Sequence, residues 1–388
     1  MPSANQFRHQ TYTADAPTAP FCLLKPSRQP RPDSDEFRQR MRLVGERFRG
    51  NNVAAIYLIH GTFAGTGPLG LIESISGVLP KVATTLRRLV KGSVDILMRD
   101  FGNFPEAYRR LFEESLSSST APVIPVRRFI WSGENHHLGR AHAAVRLIDE
   151  LSDETWTDNP RVQLWGHSHG GNVMALVTNL LAADEFTRDR FFSAAEPYAG
   201  PHGVGGRDVS AWSRVRRLLA ERDHPLFRVR FDLVTLGTPI RYGWDTAGCQ
   251  HLLHFVHHRP QPRRPEYFTR FPSTPGDVVC ATSGDFIQHG GIAGTNIPPH
   301  PLAWRAWRSD CRFKTLFQSP CRSRDLIRHL AAGQRVSADG TTLLVDYLTA
   351  GQWLDRLLCG HAVYTRRAWM LFHAEEVARR FYTSRGRN

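Results

Sequence analysis

Eleven residues, Arg161 to Gly171 (RVQLWGHSHGG), constrain the fold of this chain more than any others. Val162 to Trp165 is a short apolar run of the kind that forms a buried strand, and Asn172 to Ala183 continues with helical character. Between them Gly166-His167-Ser168-His169-Gly170 leaves no room for a loop, so the strand must turn directly into the helix. At such an elbow the central residue takes a strained backbone conformation, and the residues two before and two after it must be small. Gly166 and Gly170 meet that demand, and Gly171 lets the helix pack closely on the sheet. The Ser168 hydroxyl then projects at a helix N-terminus, where the dipole and free N–H groups favour a developing negative charge. G-x-S-x-G recurs by chance in many chains. The strand before it and the helix after it make Ser168 a candidate nucleophile.

The chain has 388 residues, enough for one large α/β domain with insertions or for two smaller ones. Its 41% hydrophobic and 22% charged residues describe an ordinary globular composition. The net charge of +14 invites a nucleic-acid reading, but only four of the 50 basic residues are lysine (Lys25, Lys81, Lys91, Lys314) and the arginines are spread along the chain. No nucleic-acid-binding motif accompanies them. Attraction to an anionic membrane surface through the summed field is compatible with this charge. Met1 to Pro32 is polar and proline-rich without the apolar core of a signal peptide, and no run of about 18 apolar residues occurs, so a cytoplasmic protein is expected. The six cysteines lie far apart without C-x-x-C spacing and read as free thiols, Cys311–Cys321 being the least implausible bridge.

Residues 1–50 read as an N-terminal arm, partly disordered, that ends in a charged helix over Asp35 to Phe48. Val53–Ile59 (VAAIYLI) is a buried strand that stops at His60-Gly61-Thr62-Phe63. Val123–Trp131 is a second strand, followed by a helix over Leu138–Leu151. Phe231–Leu236 is a further strand and ends at Gly237-Thr238-Pro239. Leu252–Val256, Val278–Ala281 and Thr341–Tyr347 are later strand candidates, and an amphipathic helix over Thr365 to Tyr382 closes the chain. Strands alternating with helices predict a mostly parallel sheet with helices on both faces. From residue 51 to 388 this is one domain, with insertions at about 64–120 and 185–228. Within the first of these, Leu69–Val90 carries a helical apolar stripe edged with Lys81, Arg87, Arg88 and Lys91, which reads as a fixed cap helix before it reads as a mobile lid.

A serine nucleophile needs a base, a carboxylate to orient that base, and two N–H donors for the oxyanion. One donor is the N–H of His169, directly after Ser168; the other is assigned to Thr62, in the turn after the first strand. With these pieces in place the chain resembles the α/β-hydrolase superfamily, and within it the bacterial lipases and esterases. His60-Gly61-Thr62, Gly166-His167-Ser168-His169-Gly170-Gly171 and Leu236-Gly237-Thr238-Pro239 carry the resemblance, each directly after a strand. It covers roughly residues 50–375, with its specific part confined to 53–245. The resemblance implies a triad in the order serine, acid, histidine, and activity on carboxylic esters, often lipid ones, without a cofactor. Gly237-Thr238-Pro239 then looks like a wall of the acyl pocket.

His289, His300, His329, His361 and His373 are the candidates for the base. His361 follows the last strand, just before the closing helix, with Gly360 to free its loop, and is the choice; His373 falls inside the helix. Asp245, Asp277 and Asp285 compete for the acid. Asp245 comes soon after the Gly-Thr-Pro strand. If Val278–Ala281 is the strand before the acid, Asp285 arrives a few residues past its end and ranks above Asp277. If that strand is Leu252–Val256, both need a long insertion and neither gains. Each aspartate also reads as a turn cap. The histidine group His251, His254, His257 and His258 fits no zinc signature, so no metal is assigned. Gly65-Thr66-Gly67-Pro68-Leu69-Gly70 matches a dinucleotide motif in letters only: it starts six residues past Ile59, and Pro68 sits where the helix should begin. His167 and His169 read as packing or pocket-lining groups. The expectation is therefore a serine esterase or lipase with Ser168, Asp285 and His361. An amidase, thioesterase or acyltransferase on the same triad is the nearest alternative, and a retired hydrolase fold that only binds, or a basic polyanion binder, stands further off.

Overall fold

The computed structural model describes residues 7–62, 104–118, 121–199, 209–294, 296–319, 321–350, 356 and 360–382. Seven strands form one sheet: β1 (Phe21–Leu24), β2 (Val53–Ile59), β3 (Val126–Phe129), β4 (Arg161–His167), β5 (Arg230–Leu236), β6 (His251–His257) and β7 (Thr341–Val345). Their order is β1-β7-β6-β5-β4-β2-β3 and every pairing is parallel. A parallel sheet needs cover on both faces, and the strands read accordingly as almost continuous apolar runs. One face carries Tyr57, Leu164 and Leu233 under helices α3 (His137–Ser152), α4 (His169–Ala182), α5 (Glu185–Ala199), α6 (Val209–Glu221) and α9 (Trp304–Phe317). The other carries Ile56, Trp165, Val234 and Phe255 under α1 (Asp35–Gly50), α2 (Glu106–Leu116) and α11 (Met370–Tyr382). Smaller helices α7 (Pro275–Val279), α8 (Phe286–Gly294) and α10 (Ser323–Ala332) lie between β6 and β7.

Two expectations need correction. The first concerns the arm expected to be partly disordered. Residues 21–24 are a strand paired with β7, and α1 buries Phe37, Met41, Val44 and Phe48 at helical spacing. Ser34 caps α1 by accepting the Phe37 N–H, and Asp35 and Glu36 favour its N-terminal dipole. The edge strand was missed because four half-buried residues between prolines carry almost no periodicity. The second concerns Val278–Ala281, which is not a strand: it runs from α7 into a turn. Pro275 at the first helical turn and a reciprocal box between Thr274 and Asp277 start that helix, and these local signals outweigh the β-branched pair Val278-Val279. The stripe over Leu69–Val90, the Gly65–Gly70 string and Cys359 lie outside the described residues. Cys311 and Cys321 are free thiols. Among the described residues no helix is long and apolar enough to cross a membrane.

The chain lays β2 and β3 to one side, then crosses back to set β4 against the other side of β2, and β5, β6 and β7 continue outward. The reversal leaves a crevice at the carboxyl ends of β2 and β4, the position where open α/β sheets bind ligands. His60-Gly61 and Ser168 are the residues at those two ends.

Candidate active site

Ser168 sits at φ 51° and ψ −129°, a conformation costly for any residue with a Cβ. Its N–H donates to the Leu236 carbonyl at 2.9 Å and its carbonyl accepts the Gly171 N–H at 3.0 Å, so the bend is fixed from both sides. The neighbouring glycines answer to close packing. A methyl group on Gly166 would come 2.5 Å from Met174 Sδ and 2.7 Å from Gly171 N, and one on Gly170 would come 2.5 Å from the Ile59 carbonyl. One on Gly171 would overlap Thr238 Oγ1. Serine favours the N-cap position of a helix because its hydroxyl can accept a backbone N–H. Ser168 occupies the N-cap of α4, yet its side chain makes no capping bond.

The turn after β2 presses against this serine: a methyl group on Gly61 would lie 2.8 Å from Ser168 Cβ. His60 holds that turn. The Trp131 N–H donates to His60 Nε2 at 3.2 Å, and the Trp131 indole N–H donates to the His60 carbonyl at 2.9 Å. Nδ1 therefore carries the proton and donates to the Gly61 carbonyl at 2.7 Å. Because a trans peptide sets C=O and N–H on opposite sides, anchoring this carbonyl fixes the direction of the Thr62 N–H. Burial lowers the pKa of His60, which keeps the ring neutral in this role.

Asp285 reaches the site by a route the sequence reading did not favour. The chain leaves β6 at His257, makes an excursion through α7, and returns with Gly284 bridged antiparallel to His258. The Asp285 N–H then donates to the His257 carbonyl at 2.9 Å, which sets Asp285 at the end of β6. One carboxylate oxygen accepts the Gln288 N–H at 2.9 Å and so caps α8. The other receives His361 Nδ1 at 2.7 Å and the Tyr364 hydroxyl at 3.0 Å. Burial pushes the Asp285 carboxyl up, but the charge and hydrogen bond of His361, the Gln288 N–H and nearby Arg335 outweigh it and hold the pKa below its ordinary value. The aspartate is both a cap and the partner of a histidine. Gly360, at φ 82°, turns the chain so that His361 can meet it.

The His361 ring lies beside that of His167, tilted by 43° with centroids 4.6 Å apart, and His167 Nε2 lies 3.3 Å from the His361 carbonyl. His361 is thereby beside the residue that precedes Ser168. Among the described residues the Ser168 hydroxyl makes no hydrogen bond, to His361 or to any other group. His169 is buried, and its Nδ1 accepts from Asn172 Nδ2, 3.1 Å away. Burial, followed by Arg140, Arg241 and His361, drives its pKa well below the ordinary value.

The other candidates go elsewhere. Asp277 is an exposed capping-box residue bound to Ser273 and Thr274, and Asp245 caps a turn through the Ala247 N–H. His289 bonds the Leu330 carbonyl and Arg335, His329 the Thr13 carbonyl, and His373 the Tyr347 hydroxyl; His300 accepts the Leu302 N–H on the surface. The four histidines of β6 and its exit diverge: His251 to Asp232, His254 to Thr235 and the Asp339 carbonyl, His257 to the Val345 carbonyl and His258 to the Glu266 carbonyl. Among the described residues no three His, Cys, Asp or Glu side chains group as a metal site. Tyr364 and Gln288 were not singled out from the sequence. Tyr364 had a signal, three residues beyond His361 on the same tight turn; Gln288 had none. No family model matches this chain, and no curated protein matches it by sequence.

Proposed function

We propose that this chain is a serine hydrolase with an α/β-hydrolase architecture that cleaves carboxylic esters. The reading rests on one observation above the rest: His361 Nδ1 and Asp285 Oδ2, 76 residues apart in sequence, form a buried 2.7 Å hydrogen bond. A carboxylate so held fixes the imidazole tautomer and leaves Nε2 as the base. In the proposed reaction Ser168 Oγ attacks the ester carbonyl and His361 Nε2 takes its proton. The Thr62 and His169 N–H groups receive the oxyanion. Collapse of the tetrahedral species expels the alcohol, protonated by His361, and leaves an acyl group on Ser168. Water then attacks with His361 again as base, releasing the acid and the free serine. Water is the only co-reactant that this cycle consumes. The Ser168–His361 hydrogen bond belongs to the substrate-bound state, since catalytic hydrogen bonds often close only around substrate.

A fluorophosphonate probe tests the reading directly. Wild type is expected to label, and Ser168→Ala to lose the label while keeping its fold. A folded wild type that stays unlabelled, or equal labelling of both proteins, rules the reading out. A series of p-nitrophenyl esters, with and without micelles, then separates a lipase, whose rate jumps at the micelle threshold, from an esterase that saturates on short soluble substrates.

A further inference from the structure

Arg140 and Arg241 are buried, 0% and 4% exposed, and neither forms an ion pair among the described residues. Arg140, in the first turn of α3, donates from Nε to the Tyr242 hydroxyl at 2.7 Å. Its two other nitrogens donate to Asn135 Oδ1 at 3.0 Å and Asn296 Oδ1 at 2.7 Å. Arg241 has less: one 3.3 Å bond from Nη1 to the Gly291 carbonyl, with its buried Nε unpartnered. A buried carboxylate, Asp310, accepts the Leu138 N–H and is linked to Arg140 through Asn296. A guanidinium stays charged in any protein, and burying a charge without a counter-charge is costly. Among the described residues, two such groups face one indirectly linked carboxylate, which leaves this corner short of negative charge.

The corner adjoins the serine. Arg241 lies in the loop 237–245 after β5, and that loop is pinned to the start of α4: Asn172 Nδ2 donates to the Pro239 carbonyl at 3.1 Å and also contacts the His169 ring. Thr238, on the same loop, packs on Gly171 and has an unpartnered buried hydroxyl. His169 feels both arginines as well as His361, so the arginines are within electrostatic reach of the residue whose N–H is assigned to the oxyanion.

From this juxtaposition we infer that the ester substrate carries an anionic group, a carboxylate or a phosphate, which Arg241 and Arg140 receive beside Ser168. The inference rests on the hydrolase reading for the word ester, but the anion site can be tested apart from it. Two measurements do so. In the first, Ser168→Ala is melted with and without glutarate or inorganic phosphate, and the same is done after adding Arg241→Met. Stabilisation by either anion that disappears with Arg241→Met supports the site, and which anion works names the group. In the second, wild type is given p-nitrophenyl valerate, the p-nitrophenyl half-ester of glutaric acid, and p-nitrophenyl butyrate bearing a terminal phosphate. One charged ester is expected to exceed its neutral counterpart in kcat/KM, and Arg241→Met to lower that ratio by about 10- to 100-fold, the worth of a hydrogen bond to a charged group. Arg241→Lys, which keeps charge but loses the fork, is expected to fall between them. Anion stabilisation without turnover of any ester would keep the site and defeat the hydrolase reading. No stabilisation by either anion, or a preference for the neutral ester that Arg241→Met leaves unchanged, overturns the inference.

Discussion

Two buried charges near the carboxyl edge of the sheet are handled in opposite ways. Asp285 is met by four favourable influences: the His361 ring, the Tyr364 hydroxyl, the Gln288 N–H and the field of Arg335. Arg241 is met by one long bond to a carbonyl, and burial lowers its pKa with Arg140 adding to the effect. The first corner is complete as it stands, so its charge is fixed in place before any ligand arrives. The second receives no counter-charge from the described residues, and on that the proposed anion site rests. The two corners thus differ in whether the described residues supply the counter-charge.

The comparison breaks first at Asp285. Asp285→Asn keeps the shape but reverses the hydrogen-bond logic at His361 Nδ1, and kcat/KM is expected to fall by about 10³- to 10⁴-fold. A loss under tenfold, measured on a protein with an unchanged melting curve, would remove Asp285 from the mechanism.

Acid probes the first corner through the buried histidines beside it. Burial lowers His257 to about 4 and His258 to about 3, beside Asp285, so both stay neutral in the folded chain while the unfolded chain takes up protons below about 6.5. The unfolded state then binds more protons, and stability must fall with pH by up to about 1.4 kcal/mol per unit for each histidine, from about 6.5 down to the folded values. Asp285, held below its ordinary value, adds stability present above its unfolded pKa and lost only as pH drops through the lower folded one. Urea melts at successive pH values should show this decline; a flat profile from pH 7 to 5 would contradict it.

A smaller effect is expected at Tyr364, whose hydroxyl donates to Asp285 at 3.0 Å and accepts the His257 N–H at 2.7 Å. Tyr364→Phe leaves that buried N–H unpaired and should cost about 1–3 kcal/mol of stability. It should lower kcat by less than Asp285→Asn does, as His361 keeps its partner. The smallest change belongs to the unfinished corner. Without ligand, Arg241→Met removes an uncompensated buried charge, so its melting temperature should equal or slightly exceed that of wild type, the usual trade of stability against function. A drop of several degrees would mean that Arg241 is held by the fold and is not waiting for an anion.

Legibility in the sequence followed the range of the interactions. Val53–Ile59 was read to the residue, and the later strands 230–236, 251–257 and 341–345 to within one or two, because a run of buried apolar residues is a local property. The four-residue β1 was invisible, since its place is given by β7, more than 300 residues away. Asp285 was preferred to Asp277 on an incorrect premise, yet it is Asp285 that meets His361. The supposed strand Val278–Ala281 is helix and turn, and Asp285 owes its place to a bridge between Gly284 and His258 that closes a long excursion. The arginines carried no signal at all among so many others.

What the sequence by itself determined was the bend: a strand that runs into a helix through Gly166-His167-Ser168-His169-Gly170 has no residues to spare for a loop, and the crowding of Gly166 by Met174 and Gly171 arises within that same stretch. What only the tertiary structure decided was company. Which carboxylate meets His361, and which guanidinium goes without one, depends on where strands β5, β6 and β7 deliver chain ends far apart in sequence. Burial then gives those meetings their energy, because a charge removed from water is governed by whichever few groups remain within reach.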